Sequence, residues 1–235
     1  MNRIVVPTDF TPNARHALER AAMIARAAGV REHRMVSGRR VASVAAAAGD
    51  ADLLVIGAPQ RRWLLHPMLG STTRLLRNTR SAVLIVRTFP VLPYRDVLVA
   101  VDLAASPDKA FAVARAVAPR ASLHVVHAYR APLEGKLAYA GVSPDTIEAH
   151  REEALRSAIS GMSGVLQSQA ALSRLTAHVV RGHAASAVLD KERRLRTDLI
   201  VVSRPAKSLV EEWLVPSVTS RLAEEANGDV LIVQQ

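Results

Sequence analysis

The chain has 235 residues, 49% of them apolar and only 3% aromatic, with a formal net charge of +10. That length holds one large domain or two small ones, around a core of Ala, Val and Leu. The absence of cysteine excludes disulfides, thiolate metal sites and cysteine nucleophiles, and no apolar run approaches the ~18 residues of a membrane span.

Residues 2–7 read as a short buried strand. The chain enters it without the charged-then-apolar pattern of a secretory signal, so a cytoplasmic protein is expected. Thr11 and Pro12 make an N-cap and first-turn pair. Ala14, Ala17, Leu18, Ala21, Ala22 and Ile24 then recur at helical spacing to about Ala28, where Gly29 ends the helix. Residues 33–37 form a strand, and Gly38 precedes an Ala-rich helix over about 39–48 that Gly49-Asp50 breaks. Residues 51–56 are a buried strand, 71–79 a helix and 82–87 a strand. Thr88-Phe89-Pro90-Val91-Leu92-Pro93 is a proline-punctuated linker.

After the linker the pattern restarts. Val97-Leu98-Val99-Ala100-Val101-Asp102 repeats Ile4-Val5-Val6-Pro7-Thr8-Asp9, Asp198 to Val202 repeats Asp52 to Ile56, and Val230 to Val233 repeats Val83 to Val86. This is a tandem repeat, with 1–88 and 96–235 as its copies and 89–95 as the connection. In the second copy Ser106-Pro107 opens a helix, 122–127 is a strand and 128–142 a loop. Ser143-Pro144 caps a long helix to about Gln167, and 175–180 is a strand followed by Gly182-His183, which matches Gly38-Arg39. The first copy therefore lacks about one strand and one helix, the second of each. Strands alternating with helices argue for α/β repeats with parallel sheets, whose ligands sit beyond the carboxyl ends of the strands. The final strands, short and apolar, are expected to pair the two repeats as an intramolecular pseudo-dimer, since each would otherwise be an exposed edge.

The charge is uneven. Residues 1–94 hold 14 Arg/Lys against 5 Asp/Glu, and residues 95–235 hold 17 against 16. Such asymmetry suits an anionic partner. No basic stripe carries interleaved aromatics that would stack on bases, which argues against nucleic acid. His124 and His127 lie three apart on a strand and point to opposite faces, so no metal site is expected. No nucleophile, base and acid stand in a catalytic pattern.

Gly57 ends a strand, and Gly70-Ser71 opens a helical pattern thirteen residues later. Glycines let a backbone approach an anion, and the free N–H groups of a first helical turn point at it. The spacing resembles the nucleotide loop of the universal stress protein family, Gly-x2-Gly-x9-Gly-(Ser/Thr), with Gln60 at its second glycine. Pro7-Thr8-Asp9 resembles that family's first strand end. The resemblance implies Rossmann-like repeats of the adenine nucleotide alpha hydrolase type and a stress-response regulator. It also implies ATP or another adenine nucleotide bound at Pro7, Thr8, Asp9, Gly57, Gly70, Ser71 and Thr72, with at most slow hydrolysis. In the second copy the motif positions are Ser203, Ala206, Pro216 and Ser217. Ser203 and Ser217, with Asp102 and Thr219, make a degenerate second site, because no motif glycine remains and Pro205 and Pro216 supply no N–H. The alternative is a nucleotide-free module that binds a protein partner, as a pseudo-dimer or a homodimer.

Overall fold

The computed structural model describes residues 1–8, 10–30, 32–37, 51–58, 79, 81–170, 172–204 and 218–234. The helices expected over 39–48 and 71–79 lie almost wholly outside these residues. In the first half, strand β1 (Arg3–Thr8) leads into helix α1 (Pro12–Ala28), followed by β2 (Glu32–Ser37), β3 (Leu53–Gly57) and β4 (Ala82–Val86). The second half runs β5 (Asp96–Ala100), α2 (Asp108–Val117), β6 (Ser122–Tyr129), α3 (Glu134–Tyr139) and α4 (Pro144–Ser168). It ends with β7 (Leu175–Arg181), α5 (Ala184–Leu195), β8 (Leu199–Arg204), α6 (Val218–Glu225) and β9 (Asp229–Gln234).

Local chemistry accounts for α1. The Thr11 hydroxyl accepts the Ala14 N–H at 3.3 Å, Pro12 occupies the first turn, and Gly29 closes the helix at φ 64° with its N–H on the Ala25 carbonyl. That left-handed angle is open to glycine at no steric cost. Ser143 caps α4 in the way Thr11 caps α1, accepting the Thr146 N–H at 3.3 Å. One segment departs from expectation. Residues 128–142 are no plain loop: β6 runs on to Tyr129, and α3 forms within it. Glu134 accepts from Arg151 on α4 and from Arg181 on β7. Those tertiary ion pairs hold a helix too short for helical periodicity to reveal.

The nine strands make one sheet in the order β2-β1-β3-β4-β9-β8-β5-β6-β7. All neighbours are parallel except β4 and β9, which run antiparallel with Val83 opposite Ile232, Leu84 opposite Leu231 and Ile85 opposite Val230. The two final strands thus join the halves, as expected. The central strands are buried on both faces, which is why they read as continuous apolar runs. Ile4, Val6, Leu53, Val55, Val99 and Val201 pack under α1, α2 and α4. Val5, Leu54, Leu98 and Ile200 face the other way, where Val188 and Leu189 of α5 and Leu222 of α6 cover them.

Among the described residues the first half has four strands where the second has five, yet no gap opens beside β1. The strand after α1, which by sequence repeats the third strand of the second half, pairs directly with β1 from Arg3↔Glu32 to Thr8↔Ser37. It takes the position that β6 holds beside β5. A parallel strand at the centre of a sheet needs a partner on each side for its N–H and C=O groups, so the vacancy falls at the outer edge.

A repeated bracket aligns each half. Asp52, just before β3, accepts the N–H groups of Asn2 and Arg3 at 2.5 and 3.1 Å. Asp198, just before β8, accepts those of Arg95 and Asp96 at 2.8 and 3.1 Å. The Asn2 amide in particular holds the Asp52 carboxyl below its ordinary range.

The seam is fastened by Asp229, fully buried at the start of β9. Its Oδ1 accepts the Arg87 N–H at 2.8 Å. Its Oδ2 accepts the Tyr94 hydroxyl at 2.6 Å and lies 3.3 Å from Arg20 Nε of α1. The Arg20 guanidinium sits 4.0 Å over the Tyr94 ring and donates to the Leu92 carbonyl at 2.8 Å. Arg87 reaches back to the Ala223 and Glu224 carbonyls at the end of α6, at 2.5 and 2.9 Å.

Asp229→Ala leaves Arg20 as an uncompensated buried charge and is expected to cost about 3–5 kcal/mol in urea unfolding. Arg20→Leu should cost less, because the carboxylate keeps its Tyr94 and Arg87 donors. Burial, and next the Asp229 charge, push the Tyr94 phenol well above its ordinary value near 10. The unfolded chain therefore loses that proton first as pH rises. The stability this group contributes is complete below about pH 10 and falls above it. Unfolding measured from pH 8 to 11 should show the decline in the wild type, and Tyr94→Phe should remove that component.

Candidate functional site

The antiparallel seam points the carboxyl ends of the two sets of parallel strands toward opposite ends of the sheet. Each end receives one candidate crevice.

In the first half, the β1–β3 register pairs Ile4 with Leu53 and Val5 with Leu54. Followed to the strand ends, it places Thr8 beside Gly57, with half-buried Pro7 just before. Asp9, Gln60, Gly70, Ser71 and Thr72 lie outside the described residues. The groups that are described serve the chain itself. Thr8 is buried, and its hydroxyl accepts the Phe10 N–H at 3.1 Å. A Cβ on Gly57 would fall 2.3 Å from the Asn13 carbonyl oxygen, and Asn13 Nδ2 donates to the Ala58 carbonyl at 2.6 Å. The first turn of α1 thus lies directly against the end of β3. Glycine is required at 57 by that close approach, whatever else binds there. The cause is a short connection: α1 begins three residues after Asp9, whereas α2 begins six after Asp102. The same tightness forces Phe10, which is 81% exposed, to φ 62°. That region is uncommon for non-glycine residues.

In the second half, the β5–β8 register pairs Ala100 with Val202, so Asp102 and Ser203 leave adjacent strand ends. Exposed Asp102 accepts the Ala104 N–H at 3.0 Å, closing its own turn. Ser203 is half-buried, and Thr219 is buried on α6. Ser217 lies outside the described residues, as do Ala206 and Pro216.

The histidines divide as the spacing implied. His127 Nδ1 lies 3.1 Å from the Val101 carbonyl on one face. On the other, His124 stacks on His178 with ring centroids 5.7 Å apart, and its Nε2 is 3.5 Å from Asp96. Burial, then the charges of Lys191 and His124, lower the His178 pKa. Among the described residues no three His, Asp or Glu side chains converge as metal ligands, and no helix is long and apolar enough to cross a membrane.

The fold defines an α/β protein built on one mostly parallel sheet covered by helices on both faces. The universal stress protein family matches residues 30–87 and 93–234, and the chain belongs to that family. Among solved structures, a universal stress protein from Archaeoglobus fulgidus DSM 4304 is similar over 99% of this chain and 98% of its own, at 17% identity and a TM-score of 0.63. A protein of unknown function from Pseudomonas aeruginosa PAO1 is similar over 99% of this chain and 81% of its own, at 19% identity and a TM-score of 0.56. No curated protein matches the chain significantly.

The sequence pattern did not mark Asn13 or Phe10, although the shorter spacing from Asp9 to Thr11-Pro12 was readable against Asp102 and Ser106-Pro107. Gly57→Ala is expected to destabilise the protein by about 1–3 kcal/mol, the usual cost of overpacking, with or without nucleotide, while Ser203→Ala changes little. Phe10→Asn, which tolerates left-handed backbone, should stabilise it by roughly 1 kcal/mol. Urea midpoints of the three variants test both statements.

Proposed function

We propose that this chain is a cytoplasmic stress-response regulator that binds an adenine nucleotide, ATP or a relative, weakly at its first half. The repeats are 1–88 and 96–235, joined by 89–95. The observation that supports this reading is the meeting of Thr8 and Gly57 at adjacent strand carboxyl ends, in the half that carries 14 basic residues against 5 acidic ones. Because the Thr8 hydroxyl and the open side of Gly57 are both engaged by the chain, the phosphates would rest on Gly70, Ser71 and Thr72, with Asp9 toward the nucleoside. ATP would present a negative triphosphate to which those N–H groups and hydroxyls would donate hydrogen bonds. The proposed role is binding rather than turnover. The same engagement of Thr8 and Gly57 favours a second reading, a nucleotide-free module that acts through a protein partner.

Calorimetry with ATP separates the two. A dissociation constant between about 10 μM and 1 mM is expected, or roughly 4–7 kcal/mol. It should be lost in Gly70→Pro, which removes an N–H from the loop, and kept in Ser217→Ala. Loss in Ser217→Ala with retention in Gly70→Pro would move the site to the second half. No heat from any of them, and no adenine nucleotide released on denaturing the purified protein, would leave the interaction module.

A further inference from the structure

His124 of β6 and His178 of edge strand β7 are diagonal neighbours in the sheet, His124 opposite Thr176 and His178 opposite Val126. They share the face of Val126, which Val188 and Leu189 of α5 cover. Their rings stack with centroids 5.7 Å apart and planes 27° from parallel. Both residues are half-buried. One nitrogen of each ring, His124 Nδ1 and His178 Nε2, is buried without a hydrogen-bond partner, a condition that calls for an explanation in a folded protein. The charges that face the pair come from two elements. Asp96 of β5 lies 3.5 Å from His124 Nε2, and Lys191 of α5 acts on His178. The acids of α5 are engaged elsewhere, Asp190 with Arg193 and Glu192 with the Asn227 and Gly228 N–H groups. At the end of β7, Arg181 is paired with Glu134.

A neutral imidazole carries one N–H and one bare nitrogen. The two unpaired nitrogens suit the bare state, with each ring's hydrogen on its other nitrogen. A second proton changes that. It puts an N–H where no acceptor stands, which leaves a buried donor unsatisfied, and it sets positive charge against a stacked ring. Asp96 offsets a charge on His124 alone. His178 has Lys191 and His124 beside it and no ion pair with a carboxylate among the described residues. Burial, then those two neighbours, accordingly lower its pKa. We propose that the His124–His178 pair is an acid-operated latch: neutral, it holds β7 to β6 beneath α5, and protonation of His178 lets the edge strand open locally. β7 suits such opening because it is hydrogen-bonded to one neighbouring strand only. The open strand takes up the proton at the ordinary histidine value of about 6.5. The closed form is therefore fully favoured above that pH and loses ground as pH falls from there to the lowered native value. The latch uses none of the crevice residues and does not rest on the nucleotide reading.

The test is hydrogen exchange of the full chain between about pH 7.5 and 5.5, corrected for the intrinsic pH dependence of amide exchange. The opening constant of the β7 amides, taken relative to that of the β8 amides, should rise several-fold over this range. The rise is at most about tenfold per pH unit, because one proton is taken up per opening. His178→Phe keeps a ring in the stack that cannot be protonated, so the rise should vanish. His127→Gln, on the opposite face, should keep it. Titration of the wild-type histidine side chains by NMR should place His178 below about 6.5, a readout that needs no variant. No relative rise in the wild type overturns the latch, as does an equal rise in His178→Phe or a His178 that titrates at or above about 6.5. Acceleration shared equally by β7 and β8 also overturns it, because it marks a loss of global stability rather than an opening at the edge.

Discussion

Asp229 is a carboxylate with no solvent at all, and the arrangement of the two halves depends on keeping its charge company. Taking such a group out of water costs several kcal/mol unless hydrogen bonds and an opposite charge offset it. Its partners come from three places: donors from the backbone after β4 and from Tyr94 in the linker, and the opposite charge of Arg20 on α1. No one of them can move without leaving another buried polar group unpaired. The carboxylate therefore sets the path of the linker, the seating of α1 beside the seam and the entry of β9 in a single constraint. The apolar contacts across β4 and β9 supply the attraction, and the polar cluster makes it specific to one geometry.

Most of the architecture was legible because its signals are local or repeated. Thr11-Pro12 and Gly29 bounded α1, Ser143-Pro144 opened α4, and the apolar strands announced themselves twice at constant offsets. What escaped was decided by tertiary contact. α3 exists because Glu134 meets Arg151 and Arg181, residues far away in sequence. β2 moved inward because β1 needs two neighbours, a demand of the sheet that no pattern within 33–37 expresses. The Asp229 cluster gave no warning, since an acid before an apolar run looks like ordinary strand punctuation. Asp52 and Asp198 were visible as part of the repeat, but their shared task of clamping the first strand of each half was not.

The candidate crevices teach a related lesson about glycine. A glycine at a strand end beside a helix start has two possible neighbours, a ligand or the chain itself. At Gly57 the neighbour is the Asn13 carbonyl. Sequence spacing carries both meanings at once, because the short connection that brings the helix amides toward a ligand also brings the helix backbone against the strand. The corresponding position in the second half, Ser203, carries a side chain and is half-buried. The helix that follows the first strand also starts three residues later in the second half than in the first.

Nine residues separate Val86 from Asp96, and this tether changes what the seam has to achieve. Two free chains joined by so few strand pairs would part on dilution, and as identical copies they would meet through one self-complementary patch in which every substitution acts twice. Tethering holds the partners at an effective concentration in the millimolar range, whatever the amount of protein in the cell. It also makes the two sides of the contact separate positions in one gene. One side is then free to shed a strand and a helix, and the other to exchange a glycine loop for prolines, without either change being copied into its mate.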